Sequence, residues 1–557
     1  MKIYTKLLQV LEAHQVRHIF GVPGDAINPL IEAIRELDAI RYIHVSHEEA
    51  GAFAASAAAK LTGRPQVCAG TVGPGAIHLL NGLYDAKKDR APVLAIVGQV
   101  AGEYIGSSYH QEVDLHRLFS DVADYLVQIN DPAQAPQAFT EACNAAVANG
   151  GVSVVIVPHD VGSGAVADFP VTAFEASEAG RLTASPEVLR KAGQALDRAE
   201  RICLLVGEGC RSARELLAPL ARHLAAPIVL TLKAKDLLPC ESEFVAGGLG
   251  LLGSKAGVAA MEGCDLLLML GTDFPYKEWL NDDCEAVQVD TRAATLGKRR
   301  PGALAVHADV AMVAPWLLEH VKAKQDSSLL EAMRSSKASW NERMDRLEDL
   351  GRSSDVIHPQ GLARLVGDLA RDDAIFTCDT GEVTVWCARH LRLRPGQRFS
   401  LSFNLASMAY AMPAALGAQL AFPGRQVISL SGDGGFNMLM GDFLTAVKYE
   451  LAITVVVFNN GKLGLIKMEQ AAEGYPESET DLRNPDYAAL ADAMGGKGFR
   501  VNGPSELRQK LTWALETDGP TLLDVPVSPD EITWPPKIQP SQALGFGLAK
   551  LRELVGV

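Results

Sequence analysis

Two apolar runs, each ending in a polar cluster, constrain this chain more than any other feature. Residues 426–430, Gln-Val-Ile-Ser-Leu, read as a strand that runs into Gly432-Asp433-Gly434; a helical segment follows, and residues 453–458 read as a second strand delivering Asn459-Asn460. Strand, helix, strand is the order that makes neighbouring parallel strands, so both clusters emerge at one edge of a sheet. At such an edge glycines let the backbone approach a phosphate, while a carboxylate and a carboxamide can share one hard cation. The pattern predicts a diphosphate and Mg2+ site. Asp433 and Asn460 are the expected side-chain ligands, with the backbone carbonyl of Lys462 as a third. Gly432, Gly434 and Gly435 allow close approach, and the helix after Gly435 points its amides at the anion. Either half alone would be a plain turn or a helix cap; the pairing, each directly after an apolar strand, is what points to a ligand.

Further strand-like runs at 93–97, 152–157, 202–206, 228–230, 266–270 and 427–430 alternate with helical stretches. Repeated units of this kind make parallel sheets covered on both faces, so the expected class is α/β with three parallel-sheet domains. A chain of 557 residues with 48% hydrophobic content has material for about three or four cores. Two compositional breaks, 162–187 (rich in Ala, Ser, Pro and Gly) and 322–358 (highly charged, with one amphipathic helix inside), divide it. The expected domains are 1–165, 185–335 and 355–530, with a tail over 531–557 marked by Trp534-Pro535-Pro536.

A net charge of -15 argues against nucleic acid and anionic membrane surfaces as partners. The nine cysteines form no Cys-x-x-Cys pair, so neither zinc nor a disulfide framework is indicated and a reducing, cytoplasmic location is expected. Leu7, Leu8 and Leu11 at helical spacing make the N-terminus an amphipathic helix instead of a secretion signal, and no apolar run is long enough to cross a bilayer.

The Gly-Asp-Gly to Asn-Asn pattern resembles the signature of the thiamine diphosphate enzymes, and other segments extend the likeness. Val45-Ser46-His47-Glu48-Glu49, before an Ala-rich helix, is similar to the His-Glu motif of the pyruvate oxidase and acetolactate synthase branch. The resemblance makes Glu48 the carboxyl that hydrogen-bonds the cofactor's aminopyrimidine. That chemistry calls for a buried acid with a raised pKa, able to share its proton with a ring nitrogen. Gly24 in residues 21–25, Gly73 in residues 71–75, and Asn81 match the branch's other cofactor-facing loops. Met408 matches an apolar wedge beneath the cofactor, flanked by Ala406 and Ser407, and Thr380, Leu463, Gly464 and Leu465 complete the expected cofactor contacts. Gln111 and Glu469 match residues facing the keto acid. Leu405-Ala406 stands where relatives have His-Gly, Leu465 where they have Phe, and His110 where they have an aromatic residue.

In the middle of the chain, Gly207 and Gly209 follow a strand, Leu249-Gly250-Leu251-Leu252 and Thr272-Asp273-Phe274-Pro275-Tyr276 follow others, and Asp290 ends another. Glycine-rich turns also occur for packing alone. The set resembles the FAD domain of pyruvate oxidases, with Asp290 accepting hydrogen bonds from a ribose.

The likeness covers nearly the whole chain and includes residues 375–379, 432–443 and 534–536, which are similar to the quinone-dependent pyruvate oxidases. It implies oxidative decarboxylation of pyruvate to acetate and CO2, with thiamine diphosphate, Mg2+ and FAD as cofactors and a quinone as electron acceptor. It also implies a homo-oligomer, a dimer of dimers, in which one subunit holds the pyrimidine and its partner the diphosphate. Relatives that bind lipid carry a further amphipathic helix beyond the point matching Val557, so membrane contact is expected to be at most peripheral. The alternative is a carboligase of the acetolactate synthase type, or another 2-keto acid decarboxylating enzyme, with a structural FAD.

Overall fold

The computed structural model describes residues 1–37, 39–168, 170–174, 180–531, 535–537 and 548–549. Three six-stranded sheets follow one another along the chain, and all their strand pairs are parallel. This is the expected α/β class. Central strands such as Val93–Gln99 and Val152–Pro158 are buried along their whole length, which is why they read as continuous apolar runs.

In the first sheet the order across is Arg41–His44, His18–Gly21, Gln66–Gly70, Val93–Gln99, Val152–Pro158, Tyr125–Gln128. The third runs Arg398–Leu401, Ile375–Cys378, Val427–Gly432, Ile453–Asn459, Thr521–Pro526, Lys497–Arg500. Numbered in chain order within each sheet, both are 2-1-3-4-6-5. The middle sheet differs: with Ile202–Val206 first in sequence, it reads 3-2-1-4-5-6, the doubly wound order of dinucleotide-binding domains.

Two long helices join the first and third domains. The Ala-rich helix Glu48–Thr62 packs on Ala411–Ala421, and a Cβ at Gly417 would lie 2.0 Å from the Ala54 carbonyl oxygen, so only glycine permits this approach. The charged break contains one 21-residue helix, Ser328–Glu348. Its first turns bury Leu329, Leu330 and Met333 in the middle domain. Its last residue, Glu348, meets Arg364, His390 and Arg392 of the third. The helix therefore spans the position where the middle domain was expected to end. The Trp534 marker and most of the tail lie outside the described residues. Among those described, no helix is long and apolar enough to cross a membrane.

Candidate active site

Strand Val427–Gly432 and strand Ile453–Asn459 are neighbours in register, Gly432 opposite Phe458, so Asp433 and Asn460 leave the sheet side by side. Helix Asp433–Leu439 begins at Asp433 itself, three residues earlier than expected, which places Gly434 and Gly435 in its first turn. Asp433 is buried, and its carboxylate is held on both oxygens. Oδ1 accepts from the Gly434 amide at 2.9 Å, and Oδ2 accepts from the Gly461 amide at 2.7 Å and from Asn484 Nδ2 at 2.8 Å. Burial pushes its pKa up, while the bonds from Gly461 and Asn484 pull the other way.

Asn460 Oδ1 accepts from the Lys462 amide at 2.9 Å, and its Nδ2 donates to Glu382 Oε2 at 3.1 Å. The Lys462 ammonium turns away to Glu477 at 2.7 Å, leaving its main chain on the Asn460 side. Met408 lies beside the turn: a Cβ at Gly434 would meet its Cε at 3.3 Å, Leu463 Cδ2 at 2.9 Å and Leu482 Cδ1 at 3.3 Å. A Cβ at Gly432 would meet only Val383 at 3.8 Å, and one at Gly461 (φ +68°) would meet nothing within 4 Å. The buried Thr380 hydroxyl has no protein partner. An acid, a carboxamide, glycine faces open to a ligand and an unpaired hydroxyl fit a diphosphate with a hard cation.

The first domain assembles its loops at the ends of His18–Gly21 and Gln66–Gly70, which are paired strands. A Cβ at Gly24 would strike Thr71 at 2.4 Å, one at Gly73 (φ +66°) would strike the Gln111 carbonyl at 2.8 Å, and one at Gly75 would sit 3.1 Å from Glu48 Oε1. Gly24, Gly73, Gln111 and Glu48 are thus brought together. Glu48 opens its helix with His47 as N-cap; it is 7% exposed, and its Oε2 lies 3.0 Å from His78 Nδ1. His47 and His78 stack with ring centroids 4.4 Å apart. Asn81 Nδ2 donates to Glu49 at 2.7 Å and to Ser407 Oγ at 3.1 Å, a direct link between the two domains.

Three expected residues are not enclosed within the chain. Glu469 and Ala406 are exposed, and Leu465 is half-buried. Ala406 also holds φ +58°, a conformation that favours glycine. Three residues escaped the sequence reading, His78, Glu382 and Asn484, and Asp379, which ends the 375–379 stretch, was given no role in it. Asp379 is buried at the end of Ile375–Cys378; Oδ1 accepts from the Ala411 amide at 2.7 Å, while Oδ2 has no partner. Burial pushes its pKa up to about 7, and it pushes that of Glu382 to about 7 as well.

The middle domain places its glycine loops at the switch point between Ile202–Val206 and Leu266–Leu270. A Cβ at Gly207 would lie 2.3 Å from the Gly271 carbonyl and one at Gly209 2.8 Å from Gly271 Cα, so these two glycines are required by loop packing. Gly250 is different: with φ +91° it faces Phe274 at 3.7 Å and Tyr276 at 4.0 Å, and those rings meet edge to face at 5.6 Å. Leu249 is buried and Leu251 exposed beside them, with Leu252 in the same turn. Thr272 Oγ1 caps the Phe274 amide at 3.1 Å, in the turn that continues through Pro275. Asp273 pairs with Arg90 of the first domain at 2.6 Å. Buried Asp290 uses Oδ1 to accept from the Arg292 amide at 2.8 Å.

Three family models match in order: thiamine pyrophosphate enzyme N-terminal TPP binding domain over residues 1–118, central domain over 189–317, and C-terminal TPP binding domain over 379–525. The chain belongs to the thiamine pyrophosphate enzyme family. It is 40% identical over 547 residues, 98% of its length and 95% of the relative's, to YdaP of Bacillus subtilis (strain 168), described as a thiamine pyrophosphate-containing protein. It is 33% identical over 533 residues, 94% and 88%, to the pyruvate oxidase of Lactiplantibacillus plantarum. To the acetolactate synthase large subunit of Porphyra purpurea it is 32% identical over 570 residues, 98% and 95%. This thiamine pyrophosphate enzyme therefore stands among enzymes acting on 2-keto acids.

Proposed function

We propose that this enzyme oxidatively decarboxylates a 2-keto acid, pyruvate first among them, to the carboxylate and CO2, passing two electrons to FAD and then to a quinone. The observation that carries the thiamine half is Asp433, buried and clamped by the amides of Gly434 and Gly461 at paired strand ends. Asp433, Asn460 and the Lys462 carbonyl would hold Mg2+ and the diphosphate, with Thr380 and the amides of the Asp433 helix as further donors. Glu48 would hold a proton at the aminopyrimidine, kept in place by Gly75 behind it and His78 beside it. Met408 and Leu463 supply an apolar wall that excludes water, and Gln111 faces the substrate. When bound, thiamine diphosphate supplies a carbon nucleophile and an electron sink, and FAD a two-electron acceptor.

What supports a flavin is the doubly wound middle sheet, with the Gly250, Phe274 and Tyr276 cluster and Asp290 at its edge. The same reading includes a homotetramer, a cytoplasmic site and at most peripheral membrane contact; its nine cysteines are all free thiols. A carboligase of the acetolactate synthase type is the second reading, favoured by relatives of almost equal identity. Anaerobic addition of pyruvate to FAD-loaded protein decides. An oxidase bleaches its flavin stoichiometrically, whereas a ligase leaves the flavin yellow while forming a C–C bond.

A further inference from the structure

Glu382 is a half-buried carboxylate facing the expected metal ligand Asn460, and neither the cofactor pattern nor any domain boundary called for an acid there. It opens helix Glu382–His390, directly after Gly381 at φ +134°. Its Oε2 accepts from Asn460 Nδ2 at 3.1 Å. A carboxamide has one face that donates and one that accepts, and only the donating face can meet a carboxylate. The Lys462 amide at 2.9 Å reads the accepting face, Oδ1. The two contacts together leave the Asn460 side chain one orientation.

Gly464 supplies an independent observation. It is the first residue of helix Gly464–Glu473. It is absent from the glycines with positive φ, so its backbone does not require glycine. What a side chain would meet is the acid: a Cβ at Gly464 would lie 2.0 Å from Glu382 Oε2, 2.4 Å from its Cδ and 3.0 Å from Asn460 Nδ2. The glycine is the space that Glu382 and Asn460 occupy.

We propose that Glu382 is a positioning residue for the cation: it holds the Asn460 carboxamide with Oδ1 toward the metal, and residue 464 is glycine to admit it. The inference rests on the reading that Asp433, Asn460 and Lys462 hold the divalent ion. Partners that orient metal ligands typically set affinity by ~10–100-fold.

The test uses Mn2+ as a paramagnetic probe, titrated into full-length apoprotein with thiamine diphosphate present, with free Mn2+ read by electron paramagnetic resonance. Glu382→Ala is expected to weaken Mn2+ binding by about 10–100-fold. Glu382→Gln, whose amide oxygen can still accept from Asn460, is expected to stay close to the unsubstituted protein. Gly464→Ala should weaken binding in the same way as Glu382→Ala, and the double variant should be no worse than either single one, because both act on one contact. Unchanged affinity in Glu382→Ala overturns the proposal, as does a loss in Glu382→Gln equal to that of Glu382→Ala. If the unsubstituted protein takes up no Mn2+ with the coenzyme, the reading of Asp433 and Asn460 falls first and the inference with it.

Discussion

The first and third domains share one strand order, yet their strand ends hold acids in opposite ways. In the third, Asp433 accepts from two amides and Asn484, three bonds that fix the carboxylate and leave a lone pair for a cation. In the first, Glu48 has a single side-chain partner among the described residues, His78, whose own side chain is 41% exposed. An acid locked by fixed donors is suited to anchoring a charged ligand; one with a single, solvent-reaching partner can exchange a proton. The same topology delivers both, so the chemistry lies in the residues placed at the strand ends and not in the fold.

Four experiments break or sharpen that contrast. If Glu48 handles a proton, Glu48→Gln lowers turnover by ~100–10,000-fold while calorimetry still records coenzyme uptake. If Asp433 anchors, Asp433→Ala instead weakens uptake of Mg2+ and thiamine diphosphate by at least ~100-fold, measured by the same calorimetry. Equal losses of uptake in both variants would erase the distinction.

Asp379 sharpens it on the stability side. Its pKa stands near 7 in the folded protein against an ordinary 3.8, so the folded state binds more protons between those values. Its contribution to stability therefore falls as pH rises from about 4 to about 7 and is level above that. Asp379→Asn should reduce the slope of this part of the pH profile, the remainder coming from Glu382 and Asp442, read from urea midpoints of ligand-free protein at pH 5 and 7.5. Smallest is Ala406→Gly. Relieving φ +58° at an exposed turn should stabilise the protein by ~0.5 kcal/mol, the αL cost for alanine less the added chain entropy of glycine. Differential scanning calorimetry checks it.

Much of the third domain was legible because its signals are local. Apolar strand runs ending in Gly-Asp-Gly and Asn-Asn announce both the parallel pairing and the ligand edge, and the observed strands Val427–Gly432 and Ile453–Asn459 extend those runs by a residue or two. Glu48 was singled out by the resemblance of its His-Glu segment, because a first-turn glutamate before an Ala-rich helix is by itself an ordinary surface residue. Gly207 and Gly209 were less legible: a glycine needed for a nucleotide and one needed for loop packing look alike in sequence, and only the 2.3 Å approach to Gly271 separates them. Asn484 reaches Asp433 across 51 residues and Glu382 reaches Asn460 across 78, with no local pattern to betray either contact.

The amino-acid sequence alone therefore determined the class of sheet, the number of domains and the edge where polar residues gather, because turn chemistry and hydrophobic period act over a few neighbouring residues. The tertiary structure decided which side chains complete the site. His78, Glu382 and Asn484 earn their places through burial and hydrogen-bond geometry between distant segments, and those depend on how the packed elements meet.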